Sequence, residues 1–266
     1  MHVRYFVPEL AVAPKAKDTL GTAVARFFGR ASTPPARFTA ERLGGLPFGL
    51  VPSAWPKCVD CGKSQSFLAQ FAHDPDRLDL GRQGRMLMIF QCSHDPGMCA
   101  AWDAFSGANA CIVVEPEELD ATLTSLPNDA PPVENGVIIT GWREKQDAVV
   151  IGDVAAYFDE TNYFEHYVEL TATVARSTKL GSVPSWIQSP SEAPKPGWSF
   201  VGQLDSSYSF LSPPNPVPAW ISSDGELYEG RTHLAQGPNF GDGGIAYLFM
   251  RRTAARPEVV MFWQCG

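Results

Sequence analysis

Basic residues are in short supply: the 266-residue chain has 21 Lys and Arg against 29 Asp and Glu, a formal charge of −8. That balance excludes a protein that grips nucleic acid by neutralising phosphates. No apolar run approaches the roughly 20 residues that cross a bilayer. The opening Met1-His-Val-Arg-Tyr-Phe-Val-Pro-Glu9 lacks the charged start, long apolar core and small-residue cleavage site of a secretory leader. A cytoplasmic protein without a membrane partner is therefore expected. Phosphate loops ending in Lys-Ser or Lys-Thr are missing, as is a Gly-x-Ser-x-Gly nucleophile elbow. The histidines (His2, His73, His94, His166 and His233) are scattered without metal-helix spacing, and Asp74-Pro-Asp76 beside His73 is ordinary loop chemistry. No catalytic set is assigned, and no reaction is named.

What is present is unevenly distributed. Residues 111–170 hold thirteen Asp and Glu against Arg143 and Lys145, a local charge of −11 that leaves +3 for the rest of the chain. Such a field attracts a basic partner and repels nucleic acid. Hydrophobic content of 44% is ample for a large core. Six cysteines in a reducing compartment are free thiols or metal ligands rather than disulfides.

Two stretches repeat one order of landmarks. The first is Arg42-Leu-Gly-Gly-Leu-Pro47, Cys58-Val-Asp-Cys61-Gly62, Phe67-Leu-Ala-Gln70 and Gly84 to Phe90; the second is Lys179-Leu-Gly-Ser-Val-Pro184, Pro196-Gly197, Phe200-Val-Gly-Gln203 and Gly243 to Phe249. The shared order predicts an internal duplication. Two copies are too few for a solenoid, so a pseudo-twofold pair is expected. The fold class is α+β: mainly antiparallel β-sheets from two pseudo-twofold related half-domains, with a few peripheral helices. Residues 1–41 form an N-terminal helical extension, 42–130 the first repeat, and 131–266 a linker strand and helix with the second repeat, all in one compact unit.

Within that frame, Asp18 caps a helix through Leu20, Val24, Phe27 and Phe28, which Pro34 and Pro35 end. Phe67–Phe71 and Arg85–Gln91 read as strands, the latter apolar almost throughout and so central. Gln70 and Gln203 sit inside apolar strands and need partners, most simply in the neighbouring Gly-x-x-Pro turn. Val137–Trp142 is a strand, 153–166 a helix or helical turn, and Val168–Val174 a strand. The second repeat is longer by an insertion, Ser206–Asn239, rich in proline and aromatics. Long irregular insertions are often binding loops. Its Tyr208, Phe210 and Trp220 are candidate partner anchors, with Asp159 and Glu160 in the acidic region beside them as candidate contacts.

Cys58-x-x-Cys61-Gly62 has the geometry of a zinc knuckle, and Cys92 and Cys99 follow about 30 residues later with His94 between them. Four soft ligands complete a closed structural zinc site; Cys99 and His94 compete for the fourth place. In the second repeat Ala193, Pro196 and Arg251 stand where Cys58, Cys61 and Cys92 align. Ligands of one ion lose their use together, which favours a metal over independent core cysteines.

The ordered series Leu-Gly-Gly-x-Pro, Cys-x-x-Cys-Gly, Phe-Leu-x-Gln, then Lys179-Leu-Gly-x-x-Pro-x-Trp-Ile-Gln188, Phe200-Val-Gly-Gln-Leu-Asp205, Gly241-Asp-Gly-Gly244 and Phe262-Trp-Gln-Cys265 resembles the YwqG-like family, from Arg42 to the end. The resemblance implies kinship with the C-terminal domain of programmed-cell-death-2-type proteins, which chaperone a ribosomal protein. For members encoded beside secreted toxins it implies immunity. It implies no catalytic residues. The expected function is a non-catalytic immunity protein that masks a basic toxin domain; a chaperone-like binder of a basic ribosomal protein and an unrecognised enzyme are the alternatives.

Overall fold

A computed structural model describes residues 2–12, 41–94, 98–131, 136–150, 154–194, 196–209, 220–221, 227–228, 234–241 and 243–266. Its strands in chain order are β1 (His2–Val12), β2 (Arg42–Leu43), β3 (Ser66–Ala72), β4 (Met86–Gln91), β5 (Asn109–Val114), β6 (Val137–Val150), β7 (Lys179–Gly181) and β8 (Ser199–Asp205). Then come β9 (Ser207–Ser209), β10 (Trp220–Ile221), β11 (Leu227–Tyr228), β12 (Leu234–Gln236), β13 (Ile245–Arg251) and β14 (Glu258–Gln264). Ten of them build one sheet, β14-β13-β8-β7-β1-β6-β2-β3-β4-β5; β10-β11 and β12-β9 are separate ribbons. Every pairing is antiparallel. The result is a mainly β fold with few helices.

Two meanders, β2-β3-β4-β5 and β7-β8-β13-β14, run outward from the long central pair β1 and β6. The repeated motifs occupy matching registers. Arg42 faces Gln70 and Leu43 faces Ala69, as Lys179 faces Gln203 and Leu180 faces Gly202. Phe67 pairs with Phe90 across a bulge from the Ala69–Ile89 pair, as Phe200 pairs with Phe249 across one from Gly202–Leu248. The turns match as well: Gly44 and Gly45 have φ of 61° and 72°, and Gly181 and Ser182 have 83° and 64°. Ser182 is the one non-glycine at positive φ among the described residues, a conformation that costs an L side chain about 1 kcal/mol or more.

Two sequence expectations are corrected here. Residues 2–12 are no appendage but a central strand, paired with β6 along its length and with β7 at Tyr5 and Phe6; the helix expected around 18–28 lies outside the described residues. The strand expected at Val168–Val174 is instead the helical turn Val168–Thr171, the last of a segment with turns at Val154–Tyr157 and Glu160–Asn162 and a π-turn at Tyr163–Tyr167. The rings decide it. Tyr157 meets Tyr163 and Tyr167 edge to face at 5.9 and 5.6 Å, which only a helical path brings to one side.

Both faces of the sheet are covered. Along β4, Leu87 and Ile89 join the main core while Met86, Met88 and Phe90 join a second cluster around Leu50 and Trp55. Along β13, Ala246 and Leu248 join the main core while Tyr247 and Phe249 pack under the helical segment with Tyr157 and Trp186. This two-sided burial explains the unbroken apolar runs; each such side chain contributes about 1.5–3 kcal/mol when fully buried. The main core draws on both ends of the strand order, so the sheet curls around it until β14 lies beside β5. Arg256 secures that junction, donating to the Val113 carbonyl at 2.9 Å and pairing with Glu118. No helix among the described residues is long and apolar enough to cross a membrane.

Candidate metal centre

The four knuckle-region cysteines converge at one end of the first meander. Cys58 and Cys61 lie in the turn leading to β3, Cys92 directly follows β4, and Cys99 lies in the β4–β5 connection. The turn closes by Gly62 donating to the Cys58 carbonyl at 2.9 Å and Cys58 donating to the Lys63 carbonyl at 2.8 Å. Gly62 takes φ of 72° with nothing near its absent Cβ, the reversal that a Cys-x-x-Cys-Gly knuckle requires.

All four sulfurs lie within 4.8 Å of one another. Cys61 Sγ and Cys92 Sγ are 3.7 Å apart, whereas a disulfide would bring them to about 2.05 Å. A tetrahedron with metal–sulfur bonds of about 2.3 Å has sulfur–sulfur edges of about 3.8 Å. The spacing therefore fits a single ion held by four thiolates. Backbone N–H groups favour the ionised form at two of them: Lys63 donates to Cys61, which holds that thiol below its ordinary range, and His94 donates to Cys92. Burial works the other way, pushing Cys92 up to about 11 and Cys99 higher still. A dication is the natural counter-charge for thiolates placed in so apolar a setting, with Cys58, Cys92 and Cys99 packed against Ala101 and Ala108. Four protein ligands leave no open position, so such a site is structural rather than catalytic.

Neighbouring groups fix the loops. Asp60 accepts from the Ala100 N–H at 2.9 Å, tying the knuckle to the Cys99 loop. The Gly107 carbonyl accepts from Val59 N–H at 3.1 Å and from Gln65 Nε2 at 3.1 Å. His94 is not among the side chains drawn together, and its Nε2 lies 3.0 Å from the Ser64 carbonyl. Cys111 and Cys265 are free and outside it. In the second meander Ala193, the counterpart of Cys58, is buried in the aromatic cluster with Trp186. The cysteines form the one group of three or more metal-ligating side chains drawn together among the described residues.

The expected partner contacts fare differently. Asp159 and Glu160 are exposed on the helical segment, where Asp159 accepts the Asn162 N–H at 3.0 Å. Tyr208 is 2% exposed and belongs to the main core, because β9 folds back on β12, so it is not a surface anchor. Phe210 lies outside the described residues, and Trp220 is placed by its backbone in β10, opposite Tyr228. Missed by sequence reasoning were the Asp60 latch, which has no signal beyond its place inside the Cys-x-x-Cys loop, and the exposed Phe164 and Val168.

The chain matches no protein-family model, no curated protein and no solved structure.

Proposed function

We propose that this chain is a non-catalytic binding protein, and most concretely an immunity protein that masks a basic toxin domain in the cytoplasm. The observation that carries the reading is the helical segment 154–171. Phe164 and Val168, one helical turn apart, are 54% and 48% exposed, and Asp159, Glu160, Glu165 and Glu169 are exposed on the same segment. Exposed apolar anchors among carboxylates suit a protein partner of opposite charge: the apolar side chains supply the buried contact, and the charges speed and orient the encounter. Zinc is the metal proposed for the four cysteines, since an all-thiolate tetrahedral set favours it among common divalent ions. The two meanders are read as pseudo-twofold copies of one half-domain, a duplication that the shared register supports.

The test is affinity purification of the tagged chain from its native host, with partners identified by mass spectrometry and metal measured on the same sample. A stoichiometric basic protein is expected, one whose toxicity the chain suppresses in cells, and Glu165→Lys/Glu169→Lys or Phe164→Ala should release it. A solitary chain would overturn the binding reading. Recovery of a ribosomal protein would replace immunity with the chaperone alternative.

A further inference from the structure

We infer that the cavity beside the acidic helical segment receives an arginine side chain of the basic partner, an assignment that rests on the protein-binding reading above. The cavity has a volume of about 570 Å³, within the roughly 300–1,000 Å³ typical of ligand sites. Phe158 and Asp159 of the helical segment, Ser182 of the turn after β7, and Trp198, Phe200 and Phe249 of the second meander line it. Phe158 and Phe200 each meet Phe249 edge to face, with centroids 6.1 and 5.7 Å apart, so three rings make one fixed wall. Trp198 already carries a guanidinium: the Arg251 Cζ stands 4.8 Å from its ring centroid, with Glu258 matching the charge.

Aromatic faces attract cations through the ring quadrupole, arginine above all because its flat head also stacks. A carboxylate completes the recognition. Asp159 spends Oδ1 on the backbone N–H and Nδ2 of Asn162, both at 3.0 Å, and Oδ2 makes no hydrogen bond among the described residues. Among the described residues no Lys, Arg or His lines the cavity. A guanidinium finds an aromatic wall to stack on and a carboxylate acceptor for its fork.

Calorimetric titration of the intact chain with a short arginine–alanine peptide, against the same peptide with citrulline for arginine, tests the assignment. The arginine peptide should bind, and the citrulline peptide should bind at least about tenfold more weakly. Asp159→Asn keeps the acceptor that caps Asn162, so it leaves the fold intact, and it should weaken arginine binding about tenfold. Phe200→Leu should do the same by removing one ring of the aromatic wall. Equal binding by Asp159→Asn and the unaltered chain would overturn the assignment, as would equal binding of the two peptides. Were the chain to capture its partner while no arginine peptide bound, the cavity assignment would fall and the protein-binding reading would stand.

Discussion

Gln70 grips the backbone of Phe48 at both ends, its Oε1 accepting the Phe48 N–H at 2.8 Å and its Nε2 donating to the Phe48 carbonyl at 2.9 Å. Gln203 repeats half of that grip on Ser185, accepting its N–H at 3.0 Å, and turns its own N–H groups to the carbonyls of Ala175, Arg176 and Ser177. Both glutamines are 0% exposed. Each pins the residue that follows a turn proline. Gln70→Leu should therefore leave two buried backbone groups unpaired and cost about 2–4 kcal/mol, read from the urea midpoint at unchanged slope. Gln203→Leu should cost a similar amount; a loss under about 0.5 kcal/mol in both would refute the pinning role.

The cysteine cluster makes a stoichiometric forecast. Purified protein should contain one zinc per chain, absent from Cys58→Ser and Cys92→Ser but retained in Cys111→Ser and Cys265→Ser. Stripping the ion should cost about 3 kcal/mol where free metal exceeds its dissociation constant a hundredfold, a fall in Tm of roughly 6–12 °C. Elemental analysis and calorimetry on the same samples decide it. Loss of zinc from the Cys111 and Cys265 variants would refute the four-sulfur assignment.

Gly107 is coupled to that cluster by contact. It takes φ of 79°, and a Cβ there would stand 2.4 Å from Val59 Cγ2. Gly107→Ala should destabilise the protein by about 1–3 kcal/mol and loosen metal binding. Adding Val59→Ala should relieve the Cγ2 clash but neither the 3.0 Å approach of the remaining Cβ nor the backbone strain, leaving about 1 kcal/mol or more unrecovered in a double-mutant cycle.

Lys179 gives a pH dependence. It is 0% exposed, with Nζ 3.6 Å from Asp147 Oδ2 and 5.2 Å from the Tyr5 ring centroid. The Ser182 hydroxyl also donates to Asp147, and Ala175 N–H does so at 3.2 Å. Burial lowers the Lys179 pKa from 10.5 to about 8 despite that carboxylate. Between those values the unfolded chain binds the proton and the folded chain does not, so stability rises with pH across the window. The difference in unfolding free energy between the unaltered chain and Lys179→Met should climb by an amount on the order of 3 kcal/mol from pH 8 to 10.5. A flat difference would place the ammonium in contact with solvent.

Some of this architecture was legible because a short local run of residues sufficed to announce it. Met86–Gln91 is buried throughout, and so unbroken a run belongs inside a sheet. Cys58-x-x-Cys61-Gly62 carries its turn in its own residues. That Cys99 rather than His94 joins the sulfur cluster was not legible, because His94 lies against Ser64, a contact no spacing encodes. β1 was illegible for a different reason. Its partner β6 lies more than a hundred residues on, and Pro8 argues against a central strand. Yet β7 pairs only with Tyr5 and Phe6, so Pro8 sits where the strand is paired on one side and a missing N–H is tolerated. Val168–Thr171 was ambiguous because Val168 and Leu170, two apart, fit a strand while Val168 and Thr171, three apart, fit a helix, and the deciding aromatic contacts are tertiary.

The central position of β1 has a consequence for how the protein is made. Val12 pairs with Val137 and His2 with Val150, so β1 must wait on the ribosome for chain synthesised well over a hundred residues later. At about 5–20 residues per second that interval is on the order of ten seconds. During it the β2–β5 meander can close on itself while β1 remains an unpaired strand. Biogenesis is therefore the moment of greatest vulnerability to misassociation, long before the finished sheet brings its two edges together.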